Sequence, residues 1–237
     1  MDKPLLQLEN VSTGYGIIPV LDGINLSVHK GDIYALLGPN GGGKSTLLKV
    51  CSRQIDPWTG SVKVAGRLTD GIPAEDLAKA GVCTIPEGKG IFPNLTVDEN
   101  LIMMTHASQS LEEIQSVTFK RFPQLGNKRK QLAGTLSGGE QQMLSMSRAL
   151  STNPKLLLLD ELSMGLAPII VRDLYGLVSQ LAEEGIGVLV VEQFARTVLG
   201  VATRAGILIN GKIISEGSPN ELEDQLSDAY LGTKGNV

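Results

Sequence analysis

The chain has 237 residues, 42% hydrophobic and 19% charged, and a formal net charge of −4. That composition excludes a disordered polymer and suits one α/β domain with an inserted subdomain, while the acidic balance argues against nucleic acid, whose binders need a basic footprint. No apolar stretch reaches the ~18 residues a membrane span requires, and Met1-Asp2-Lys3-Pro4-Leu5 shows no secretory pattern, so any membrane process it serves needs other chains to do the spanning.

Residues 6–11 and 24–28 alternate apolar and polar side chains, as half-buried strands do, and Gly14-Tyr15-Gly16 reads as the turn of an antiparallel pair. Residues 33–37 are continuously apolar, which predicts a strand buried on both faces, followed by a helix over 45–53. Further buried strands are predicted at 82–85, 156–159, 187–191 and 205–209. Between Asp98 and Ser151 the pattern is almost wholly helical, giving a core of 1–87 and 155–237 around a helical subdomain at 88–154.

Pro168 opens a helix with Ile170, Leu174, Leu177, Val178 and Leu181 on one face, and Gly185 stops it. Asn210-Gly211 between apolar runs predicts a type I′ hairpin, because both positions need positive φ. Ser218-Pro219-Asn220-Glu221 is a capping box opening a last helix to about Tyr230. The basic run Lys120, Arg121, Lys128, Arg129 and Lys130 suits a solvated helix face, with lipid head groups or a partner as the alternative. Cys51 and Cys83 form no zinc or disulfide pattern, and His29 and His106 have no second ligand at metal spacing.

Gly38-Pro39-Asn40-Gly41-Gly42-Gly43-Lys44-Ser45 satisfies the phosphate-loop pattern between a buried strand and a helix that begins with Ser45 and Thr46. Glycines let backbone N–H groups converge on phosphate oxygens, Lys44 supplies a point charge, Ser45 offers a hydroxyl to Mg²⁺, and the helix N-terminus adds partial positive charge. Leu156-Leu157-Leu158-Leu159-Asp160-Glu161 ends a buried strand in two carboxylates, one placed to hold Mg²⁺ and one to serve as general base toward water.

Leu136-Ser137-Gly138-Gly139-Glu140-Gln141-Gln142 resembles the signature motif of ABC ATPases, and with the two phosphate motifs in order the resemblance covers essentially the whole chain. It implies the α/β P-loop NTPase fold of that family, with a mixed sheet core, an antiparallel β subdomain and an inserted helical subdomain. It also implies that Ser137, Gly138 and Gly139 close over ATP held by a second ATPase subunit, in a homodimer or a heterodimer with a related chain. Tyr15 matches the aromatic that stacks on adenine, and 163–168 matches the loop that meets its counterpart across the dimer. Two positions depart from the general pattern. Glu87, after Pro86, stands where a Gln normally faces the metal and water, and Gln193 stands where a His normally faces the γ-phosphate. A Gln amide donates a hydrogen bond but carries no proton at neutral pH.

Pro86-Glu87-Gly88, Ile91-Phe92-Pro93, Phe122-Pro123-Gln124-Leu125, Gly165-Leu166-Ala167-Pro168, Val191-Glu192-Gln193 and Ala229-Tyr230-Leu231-Gly232 resemble the short ATPase subunit of branched-chain amino acid importers. Leu162 replaces that pattern's Pro, and Phe194 its Asn. The resemblance implies a peripheral ATPase on the cytoplasmic face of a cell membrane, coupled to integral permease subunits and, through them, to an extracytoplasmic solute-binding protein. The segment 87–100 would then receive the permease's coupling helix. Related solutes such as urea, amides or carboxylates remain alternatives, as does an ABC-type mechanoprotein without a permease.

Overall fold

The computed structural model describes residues 3–88, 90–105, 110–193 and 195–223. Alternating burial along β1 (Leu6–Tyr15) and β2 (Ile18–Val28) makes them an antiparallel pair. Their turn is Gly16-Ile17, so Tyr15 ends a strand instead of occupying the turn predicted at Gly14-Tyr15-Gly16. Register shifts after Leu8, with Asn10 at φ 48°, interrupt the two-residue period and conceal the second half of β1.

The fully buried β3 (Ile33–Leu37) runs into the phosphate loop and α1 (Lys44–Cys51). Next come β4 (Thr59–Val64), β5 (Arg67–Leu68), α2 (Ala74–Lys79) and β6 (Val82–Ile85). The first three were not foreseen, because Val62 alone in β4 is fully buried and gives little alternation to detect. In β4, Val62 and Val64 pair with Leu8 and Leu6 of β1, completing a four-stranded antiparallel sheet in the order β2-β1-β4-β5.

The helical stretch comprises α3 (Val97–Ile102), α4 (Leu111–Arg121), α5 (Pro123–Gly126) and α6 (Gly138–Leu150). Then follow β7 (Leu156–Asp160), α7 (Pro168–Glu183), β8 (Gly187–Glu192), α8 (Ala195–Leu199), β9 (Arg204–Ile209) and β10 (Lys212–Gly217). Asn210 and Gly211 have φ 48° and 76°, as the predicted hairpin between β9 and β10 requires. Residues 219–223 are helical, and the Ser218 N–H donates to Glu221 Oε2 at 2.9 Å. His106, Phe194, Ala229-Tyr230-Leu231-Gly232 and the predicted helix beyond residue 223 lie outside the described residues.

The larger sheet has the order β10-β9-β3-β8-β7-β6, all parallel except β10. Because side chains alternate across a strand, each central strand feeds two cores. Ile33, Ala35 and Leu37 join the helical side, while Tyr34 and Leu36 face the side that holds α1 and the antiparallel sheet. On the helical side α7 buries Val171, Leu174, Leu177, Val178 and Leu181. Each such side chain contributes about 1.5–3 kcal/mol, and Leu174→Ala would cost about 2–5 kcal/mol.

Parallel strands all end on one edge. The phosphate loop follows β3, Asp160 and Glu161 sit at the end of β7, Glu192 and Gln193 at the end of β8, and Glu87 just after β6. Open α/β sheets bind ligands at this carboxyl edge.

Candidate functional site

At the start of α1, Gly43 has φ 106° and no side chain caps the helix. The first-turn N–H groups are thus left for an anion. The loop is seated against the β9–β10 hairpin: the Gly211 N–H donates to Gly42 O at 3.1 Å. A Cβ at Gly38 would stand 2.2 Å from Leu208 O, so no larger residue fits.

Lys44, 5% exposed, donates through Nζ to Gly38 O at 3.0 Å and Pro39 O at 3.2 Å, and lies 3.2 Å from Glu161 Oε1. Tyr15, Asn40, Gly41, Gly43, Lys44, Ser45, Thr46, Glu87 and Glu161 all line one cavity of about 390 Å³, whose wall Val20 and Met164 complete. Tyr15 leaves 47% of its surface exposed at the rim, with its hydroxyl 3.4 Å from Thr46 Oγ1 and accepting from Lys49 Nζ at 3.3 Å. The hydrogen bond with Thr46, helped by Lys49 against partial burial, lowers its phenol below the usual value.

Asp160 is buried and is not among the residues lining this cavity, and its buried Oδ1 has no hydrogen-bond partner. Burial pushes its carboxyl up; Ser45 opposes that shift, Glu161 and Glu87 reinforce it, and Lys44 also opposes it. A buried carboxylate oxygen with no donor, beside a serine hydroxyl, fits a divalent cation that completes its shell with phosphate and water. Among the described residues no group of three or more His, Cys, Asp and Glu gathers as a metal cage. A magnesium site needs none, because the ion keeps most of its waters.

Glu161 has φ 47°, a left-handed conformation that costs a non-glycine residue about 1–2 kcal/mol. Its N–H donates to Val191 O at 3.0 Å. Glu192, 1% exposed, accepts from the Ser163 N–H at 2.9 Å, Ser163 Oγ at 2.8 Å and Tyr175 O–H at 2.5 Å. Sequence reasoning missed this carboxylate, although the signal was the one used for Asp160: an acidic residue ending a buried strand.

Gln193 follows at the end of β8, half-buried and outside the lining of the cavity. Ser137, Gly138 and Gly139 do not line it either. They begin α6, where Ser137 Oγ accepts from the Glu140 N–H at 3.4 Å and Glu140 Oε2 accepts from the Ser137 N–H at 3.0 Å. The structure therefore brings the loop, Tyr15, Glu87 and Glu161 together and leaves the signature segment at a separate helix start.

The family model described as ABC transporter matches residues 21–163, a span that includes the loop, both strand-end carboxylates and the signature helix. The chain belongs to the ABC transporter family. Like other ABC ATPases it binds and hydrolyses ATP, and such cassettes work as dimers with membrane permeases. This ABC ATPase is 41% identical to the high-affinity branched-chain amino acid transport ATP-binding protein BraG of Pseudomonas aeruginosa, over 96% of this chain and 100% of the relative. It is 33% identical to the lipopolysaccharide export system ATP-binding protein LptB of Haemophilus influenzae, over 96% and 97% respectively. Among solved structures, a nucleotide-free ATP-binding cassette from an ABC transporter superposes with a TM-score of 0.85 at 29% identity, covering 99% of this chain and 100% of that one. An ATP-binding cassette of an ABC transporter in its ADP conformation gives 0.85 at 29% identity, with 98% of each chain covered. Among the described residues, no helix of this ABC ATPase is long and apolar enough to cross a membrane.

Proposed function

We infer that this ABC ATPase powers an importer of branched-chain or other hydrophobic amino acids from the cytoplasmic face of the membrane, with an extracytoplasmic binding protein supplying the solute. The observation that carries this reading is the 41% identity to BraG over 96% of this chain and 100% of that one. The similarity to LptB, at 33%, favours a second reading in which the permease exports a lipid-linked substrate.

In the site, the loop N–H groups and Lys44 hold the β and γ phosphates of ATP, and Tyr15 with its exposed face stacks on adenine. Ser45 and Asp160 would hold Mg²⁺, with Glu87 beside them; when bound, the ion neutralises charge on the phosphates. Glu161 takes a proton from water as the water oxygen bonds to the γ-phosphorus and the bond to ADP breaks. Gln193 donates a hydrogen bond to the γ-phosphate without exchanging a proton. Ser137, Gly138 and Gly139 act on the nucleotide of a second subunit, so two ATP molecules lie in the closed dimer. Residues 88–154 form the subdomain that presents this signature helix, and 87–100 receive the permease.

The test is uptake by proteoliposomes containing the ATPase, the permease encoded with it and its binding protein. ATP-dependent accumulation of leucine, isoleucine or valine supports the reading. Accumulation of urea or a carboxylate instead, or release of lipid without amino acid uptake, overturns the solute assignment. Failure to co-purify with any integral membrane partner would favour a mechanoprotein.

A further inference from the structure

Glu161 occupies a backbone conformation that L residues rarely adopt, and such a residue persists only when its surroundings over-determine it. On its N-terminal side the restraint is the hydrogen bond from its own N–H to Val191 O. Two residues further on it is Glu192, which takes both donors of Ser163. Glu192 is itself anchored by the hydroxyl of Tyr175, a fully buried residue of α7. Burial and the neighbouring Glu192 push the Tyr175 phenol well above its usual range, so it remains an O–H donor. Adjacent residues of β8, Val191 and Glu192, thus grip the chain on both sides of Glu161.

We propose that Glu192, held by Tyr175, is a positioning residue that fixes Glu161 in its left-handed conformation through Ser163 and thereby aims its carboxylate. This rests on Glu161 being the general base. The requirement is for an acceptor facing the Ser163 N–H and the Tyr175 hydroxyl and a hydrogen-bonding atom of either kind facing Ser163 Oγ, not for charge. A glutamine amide oxygen would accept from the Ser163 N–H and Tyr175 O–H while its NH₂ donates to Ser163 Oγ, whereas leucine fills the space and offers nothing.

Steady-state ATP hydrolysis by the purified full chain, with thermal unfolding monitored in parallel, tests this with Glu192→Gln, Glu192→Leu, Ser163→Ala and Glu161→Gln. Glu192→Leu should lower kcat about tenfold or more with KM for ATP changed less than about twofold, because phosphate binding does not use the latch. Glu192→Gln should restore kcat to within about threefold of the parent, and Ser163→Ala should lower kcat at least about threefold. A merely structural role would lower the unfolding temperature and leave kcat of the folded enzyme intact. If Glu192→Leu does not fold, Ser163→Ala and Glu192→Gln decide. Parental kcat in Glu192→Leu or Ser163→Ala overturns the proposal, as does a loss in Glu192→Gln equal to that in Glu192→Leu. Glu161→Gln inactive beside a fully active Glu192→Leu removes the latch and keeps the base. An active Glu161→Gln removes the base, and with it the latch.

Discussion

Lys44 Nζ lies 3.2 Å from Glu161 Oε1, with both side chains at most 10% exposed, so the phosphate-loop cation and the strand-end carboxylate form one buried ion pair. Lys44 also donates to Gly38 O and Pro39 O. An incoming phosphate would compete with Glu161 for Lys44, and in the proposed mechanism that exchange would free the base as nucleotide enters.

Glu161→Gln should keep ATP binding, because the amide leaves Lys44 free for phosphate, while turnover falls about 10²-fold to 10⁴-fold. Equilibrium binding of a fluorescent ATP analogue and a phosphate-release assay check the two halves. ATP should also drive the variant into a dimer on size-exclusion chromatography. Brisk hydrolysis would remove Glu161 as base.

Asp160→Asn should stabilise the nucleotide-free chain at neutral pH and abolish Mg²⁺-dependent hydrolysis. The folded-state carboxyl is raised above its ordinary 3.8, so the folded state binds the proton more tightly. Stability is then full below that value and is lost as pH rises through the raised one. In thermal melts without Mg²⁺, the advantage of the variant over the parent should vanish as pH falls toward the ordinary carboxyl range. An advantage independent of pH would count against the cause assigned here.

Gln193→Ala should retain more activity than Glu161→Gln, since an amide supplies only one hydrogen bond to the phosphate anion, worth about 1.5–3 kcal/mol, and exchanges no proton. That corresponds to a loss of roughly 10-fold to 150-fold in kcat. Equal losses in the two variants would mean that the amide is as essential as the carboxylate.

Ser137→Ala removes the side-chain cap of α6 and should lower stability by about 1 kcal/mol. ATP binding by the monomer should be unchanged, because Ser137 does not line the cavity. The ATP-driven dimer should weaken, and analytical ultracentrifugation of Glu161→Gln with and without Ser137→Ala measures it. Unaltered association would place the serine outside the interface.

What the sequence disclosed depended on how local its cause was. The all-apolar run 33–37 and the Asn210-Gly211 pair determine their backbone within a few residues, and both are found as expected. The extent of β1 was hidden because Asn10 bulges and breaks the alternation, and β4 because its pairing with β1 places only Val62 fully inside. In the site, loop and carboxylates were recognisable from type and spacing. The engagement of Lys44 by Glu161 and of Ser163 by Glu192 was not, since each joins residues far apart whose proximity depends on strand order.

The seating of the phosphate loop on the β9–β10 hairpin bears on how the molecule is made. Gly42 leaves the ribosome early and Gly211 late, yet a hydrogen bond joins them, and β3 takes β9 as its neighbour. A growing chain cannot make this contact of its nucleotide cradle until residue 211 has emerged. Tight ATP binding should therefore require the chain through residue 211, and a nucleotide-affinity resin should retain protein that includes it while passing fragments that stop before residue 204.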